Sequence, residues 1–125
     1  MKLTIPIDAI PQKGASFGKG HAHKPDAIRK YQADFTLMVR SLIRGHEKFT
    51  GAVKVELNIR RNKKSPLAKN FGDVDNLAKP ILDAITATGA VWLDDRQIVD
   101  LRVIKAAAPE PSVEISIEEA INERN

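Results

Sequence analysis

The chain has 125 residues, 42% of them hydrophobic and 29% charged, values that fit one folded domain with a single core and exclude a disordered polyelectrolyte. Cysteine is absent, which excludes a disulfide framework and a thiolate metal site, and no apolar run approaches the length of a membrane span. The net charge of +4 is unevenly spread: residues 1–69 carry a balance of +10 and residues 70–125 a balance of −6, so a basic surface suited to a polyanion is joined to an acidic region with another task.

The first eight residues are too short and too interrupted for a secretion signal, so a cytoplasmic location is expected. Leu3, Ile5 and Ile7 alternate with polar neighbours at the period of a half-buried strand. Residues 9–24 follow as a loop carrying three glycines, Lys13, Lys19, Lys24 and the pair His21 and His23. A histidine pair on a flexible loop is a poor metal site and a better phosphate neighbour. Ile28, Tyr31, Phe35, Met38 or Val39, and Leu42 then give a helical apolar stripe, with Pro25 suited to its first turn and Gly45 to its stop.

The cleanest strand is Val53, Val55, Leu57 and Ile59, set against Lys54, Glu56, Asn58 and Arg60. Residues 61–72 form a basic, turn-rich loop that includes Arg61, Lys63, Lys64 and Lys69. A second helix is predicted from about Asn76 to Thr88, with Leu77, Ile81, Ala84 and Ile85 as its stripe and Gly89 as its stop. Pro80 is tolerated only near a first turn, which predicts a start at Asp75 or Asn76. Val99, Leu101 and Val103, then Val113, Ile115 and Ile117, predict two further half-buried strands. This order predicts an α+β fold: a small mixed, mainly antiparallel sheet of about four strands, both helices packed on one face, in a single domain spanning residues 1–125.

Two readings fit Asp73-Val74-Asp75. One is a helix cap with an i,i+4 salt bridge from Asp75 to Lys79. The other is a pair of converging carboxylates with Lys79 positioned to meet a phosphate. Asp94 and Asp95, after the helix stop, are either turn residues or the source of a third carboxylate. That carboxylate converges if the following strand runs beside the strand of residues 53–60. Three converging carboxylates raise one another's pKa, and a divalent cation such as Mg²⁺ removes that repulsion. Such an ion activates water for attack on a phosphodiester. Trp92 reads as core in preference to a DNA contact. Phe71 reads as a loop anchor or a base-stacking side chain, and Asp83 as a partner of Lys79 or a solvated acid. Asp100 reads as an exposed acid or one that orients a ligand.

The segment Gly72-Asp73-Val74-Asp75-Asn76-Leu77-Ala78-Lys79, with Asp83-Ala84 and Gly89-Ala90-Val91-Trp92-Leu93-Asp94-Asp95-Arg96-Gln97-Ile98-Val99-Asp100, resembles the RusA family of Holliday junction resolvases. These are small endonucleases often carried by phages and prophages. The resemblance is close over residues 72–105 and general elsewhere. It implies a Mg²⁺-dependent homodimer, with Mn²⁺ able to substitute, that cuts four-way DNA junctions symmetrically in recombination and repair. It implies Asp73, Asp75 and Asp95 as catalytic metal ligands, Lys79 as a functional lysine and Asp94 as a supporting acid. The family's basic run before the first aspartate is diluted here to Lys69-Asn70-Phe71-Gly72, with Arg60, Arg61, Lys63 and Lys64 upstream. Lys13, Lys19, Lys24 and the 60–69 cluster are the expected phosphate contacts. Two other functions compete: a nuclease for forks and flaps, and a non-catalytic nucleic-acid-binding module that would bind without metal-dependent cutting.

Overall fold

A computed structural model of the chain describes residues 1–11, 26–62 and 73–120. The elements run β1 (Lys2–Ile5), α1 (Asp26–Leu42), β2 (Val53–Arg61), α2 (Val74–Ala87), a 3-10 turn (Asp95–Gln97), β3 (Ile98–Ala107) and β4 (Ser112–Glu119). The sheet order is β1-β4-β2-β3. β4 lies antiparallel to both β1 and β2, and β2 lies parallel to β3. A parallel pair cannot be joined by a tight turn, so α2 is the crossover that carries the chain back to the start of β3. The mixed α+β sheet expected from the alternation is present.

One residue parity is buried along each of the three inner-facing strands: Leu3 and Ile5; Val53, Val55, Leu57 and Ile59; Val113, Ile115 and Ile117. They form a single core with Tyr31, Phe35 and Val39 of α1 and Leu77, Ile81 and Ile85 of α2. Polar residues, among them Lys54, Glu56, Glu114 and Glu118, occupy the opposite parity. The helices also exchange hydrogen bonds. Gln32, Thr36 and Arg40 donate to the carbonyls of Pro80, Ala84 and Thr88 at 3.2, 2.9 and 3.3 Å. The equal step of four on both helices sets α1 and α2 parallel. Arg40 reaches a carbonyl just past the last turn of α2, where intrahelical donors run out.

The second helix starts earlier than Pro80 suggested. Asp73 is its N-cap, without a side-chain capping bond, and Leu77 N–H donates to the Asp73 carbonyl at 3.0 Å. Pro80 is therefore inside the helix, where a proline ordinarily costs about 3 kcal/mol. Its ring is buried with Leu77, Ala78 and Ile81, and the carbonyl it cannot bond belongs to the exposed Asn76. Core burial offsets the missing bond. The helix stop is as expected: Gly89 adopts φ +64°, and its N–H donates to the Thr86 carbonyl at 3.0 Å. Gly45, at φ +77°, closes the turn after α1 in the same backbone region.

The third apolar alternation is not buried as predicted. Val99 and Leu101 are 64% and 43% exposed. Among the described residues β3 is an edge strand with a neighbour on one side, and of its apolar side chains Ile98 and Val103 pack partly against the core. At the other end of the sheet, Arg61 closes β2. It continues the inward parity, is only 2% exposed, and donates from Nε to Asp8 Oδ1 at 2.8 Å. Burying a guanidinium is tolerable only with such a partner. Asp8→Ala is expected to destabilise the protein by about 2 kcal/mol, less than a fully buried pair because Asp8 retains 30% exposure. Denaturant unfolding of the two proteins measures this, and an unchanged midpoint contradicts it.

Candidate active site

The site is built on the solvent side of α2. Asp75, Lys79 and Asp83 recur at steps of four and line one helix face. Lys79 Nζ stands 3.8 Å from Asp83 Oδ1, so its ion partner is the acid one turn ahead. The expected Asp83–Lys79 pair is present. Asp75 instead accepts from the Asn76 N–H at 3.0 Å. Asp73 and Asp75 are both exposed at the positive end of the helix, where carboxylates are favoured.

The connection after α2 brings Asp95 to this face. Trp92, 1% exposed, donates from its indole nitrogen to Thr86 Oγ1 at 2.8 Å and is core, as expected. Phe49 N–H donates to the Val91 carbonyl at 2.8 Å, tying the same segment to the chain just before β2. Gln97 then organises the turn. Its Oε1 accepts from the N–H groups of Leu93 and Asp94 at 2.7 and 3.1 Å, and its Nε2 donates to the carbonyls of Phe49 and Gly51 at 3.0 and 2.8 Å. Asp94 caps the 3-10 turn by accepting from Arg96 N–H at 2.9 Å. Sequence reasoning missed Gln97, although Asp94-Asp95-Arg96-Gln97 carries the capping-box spacing that marks it.

Asp94 and Asp95 are shifted in opposite directions from the ordinary carboxylate value. The Arg96 backbone N–H, followed by a hydrogen bond from Asp95, holds Asp94 below the usual carboxylate range. Asp95 is pushed up, first by the hydrogen bond with Asp94, then by desolvation and the charges of Asp94 and Asp83, while Lys79 opposes the rise. Asp95 therefore faces the Lys79–Asp83 turn of α2. The structure does not gather Asp73, Asp75 and Asp95 into a shared shell: among the described residues no three acidic or histidine side chains are close enough to hold one ion. The donor chemistry does fit a hard divalent cation, since every candidate is a carboxylate and Asp95 sits in a field of negative charge.

The expected DNA contacts divide three ways. Lys13, Lys19, Lys24, Lys63, Lys64 and Lys69 lie outside the described residues, as do Phe71, His21 and His23. Arg60 is partly exposed and stands 3.6 Å from Glu114 on the open face of the sheet. Arg61 is turned inward to Asp8, which makes it part of the fold and not of a phosphate surface. Asp100 is exposed beside Lys54.

Residues 6–118 match the family described as endodeoxyribonuclease RusA, and the chain belongs to that family. It is 31% identical to the uncharacterised protein YqaN of Bacillus subtilis, over 87% of this chain and 86% of that one. It is 46% identical to the crossover junction endodeoxyribonuclease RusA of Escherichia coli K12 over 52 residues, which cover 41% of this chain and 42% of the relative. The RusA of Enterobacteria phage 82 matches to the same extent. The alignment thus spans less than half the length of the RusA relatives. Among the described residues no helix is long and apolar enough to cross a membrane.

In metal-free protein, carboxyl-detected NMR titration is expected to give Asp95 a midpoint above the ordinary carboxylate range and Asp94 one below it. With a raised folded-state pKa, protonation of Asp95 favours the folded protein at low pH, and that contribution fades as pH rises through the Asp95 midpoint. Asp94→Asn should bring the Asp95 midpoint down, because it removes the first cause of the rise. An unmoved Asp95 midpoint contradicts the pairing.

Proposed function

We propose that the protein is a Mg²⁺-dependent endonuclease that resolves four-way DNA junctions by paired, symmetric nicks, acting as a homodimer. The observation that carries this reading is the return of Asp95 to the Asp75–Lys79–Asp83 face of α2 in a chain of the RusA family. Asp73, Asp75 and Asp95 would hold the ion, with Mn²⁺ an acceptable substitute for Mg²⁺. When bound, such an ion would supply Lewis-acid chemistry, activating water and offsetting negative charge on the leaving oxygen.

The protein's own groups do the rest. Lys79, with 62% of its side chain exposed, is free to turn its ammonium to the scissile phosphate while Asp83 limits its swing. Asp94 fixes the turn that carries Asp95 by capping it, its own position set by the Arg96 N–H. Lys13, Lys19, Lys24, Lys63, Lys64, Lys69 and Arg60 supply sequence-independent phosphate contacts, which makes binding salt-dependent. A two-fold dimer matches the two-fold symmetry of a four-way junction, so two copies of the site address two strands of like polarity.

Asp75→Asn is expected to retain junction binding and to lower single-turnover cleavage by more than about 10²-fold, as expected for loss of a group that acts on transition-state charge. A labelled synthetic junction with Mg²⁺ reads both quantities, by gel shift and by strand cleavage. Cleavage at the unsubstituted rate contradicts the assignment.

A further inference from the structure

Among the described residues the ten-residue strand β3 has no neighbour on one side, and it exposes two large aliphatic side chains, Val99 at 64% and Leu101 at 43%. A long apolar edge is a template for another strand. From the sequence of this edge we infer that its partner is the β3 strand of a second copy, antiparallel, with the two-fold axis at Leu101. This names the interface of the homodimer proposed above and rests on that reading.

The register follows from geometry and charge. In an antiparallel pair, opposed side chains share a face, and faces alternate along a strand, so a two-fold axis must pass beside a residue and not between two. An axis at Asp100 sets Asp100 against its own copy, and an axis at Arg102 sets two arginines together. Like charges directly opposed are destabilising. An axis at Val103 leaves both charges facing uncharged residues. With the axis at Leu101, Asp100 faces Arg102 of the second copy, Arg102 faces Asp100, and the two Leu101 side chains meet, all within the stretch from Asp100 onward whose register against β2 is regular.

The rest of the open face extends this pattern. β2 sets Lys54 beside Asp100 and Glu56 beside Arg102, with Arg102 Nη1 3.5 Å from Glu56 Oε1. A row across the joined sheets then reads Lys54, Asp100, Arg102 of the second copy, Glu56 of the second copy. Its charges alternate throughout, and the symmetry-related row does the same. The joined sheet has eight strands with both helix layers on one side, so both Asp95 turns are presented to one substrate. The two β3 strands begin on the order of 20 Å apart, six residues at about 3.3 Å each.

The test is sedimentation velocity without DNA on the unsubstituted protein, on Asp100→Arg, on Arg102→Asp, and on an equimolar mixture of the two variants. Both positions are exposed, and circular dichroism verifies each fold. Each variant alone opposes like charges and should dissociate at least tenfold more readily. The mixture opposes arginines only with aspartates and should recover the dimer. A monomeric unsubstituted protein, undiminished dimers of both variants, or a mixture that fails to recover overturns the interface. Because the chain lacks cysteine, Leu101→Cys is an independent check. The axis places these residues about 5 Å apart, within disulfide reach, whereas Asp100→Cys copies stand about 8 Å apart. Rapid cross-linking of the first only is expected, and equal cross-linking or none contradicts the register. Loss of junction cutting in a protein that still pairs this way counts against the nuclease reading and leaves the interface standing.

Discussion

The parallel pairing of β2 with β3 is the constraint on which the acidic site depends. It obliges the chain to climb α2 and return to the level at which β2 began, so the segment before β3 must pass beside the helix that preceded it. Asp95 lies in that segment. Trp92 and Gln97 make the return rigid, one by burying an indole anchored to Thr86, the other by holding two N–H groups and two carbonyls with a single amide. An antiparallel hairpin in place of this crossover would separate the carboxylates. β3 is also the last strand of the sheet among the described residues, and the apolar strip it exposes is the one the proposed second copy would cover.

The organisation of the acids is electrostatic as well as topological. Asp75, Lys79 and Asp83 alternate in charge along one helix face, and Asp95 approaches from the turn opposite. Asp94 is the quiet member of the group. Held ionised first by the Arg96 N–H, it accepts a hydrogen bond from Asp95 and leaves Asp95 the acid that keeps its proton longer. The cap Asp94 makes on the 3-10 turn gives it a structural task that is independent of any ligand.

Much of this was legible in the sequence because it depends on local rules. The alternation in β2 and β4 reads through directly, since both strands are central and have one face under the helices. The end of α2 is marked by Gly89, and the place of Trp92 in the core by its apolar surroundings. Three features were not legible for tertiary reasons. Periodicity reports that Val99 and Leu101 share a strand with Val103, but not that the strand is an edge beyond the helices' cover. Pro80 argues for a late helix start unless its ring is known to be buried between Ala78 and Ile81. Arg61 sits in a run of basic residues and reads as a phosphate contact, yet it continues the odd-numbered series Val53, Val55, Leu57, Ile59 that faces inward. Parity was the better guide there, and Asp8 is the partner it required. The family pattern supplied the substrate class, which no arrangement of carboxylates specifies alone.

The most direct measurement of the central claim is the position of the cuts. A four-way junction is labelled in turn on each of its four strands and incubated with the protein in Mg²⁺, beside a linear duplex of the same sequence. The account predicts paired nicks at symmetry-related positions in two strands of like polarity and an intact duplex. Cutting of the duplex at a comparable rate, or no cutting of either substrate with the metal present, would contradict it.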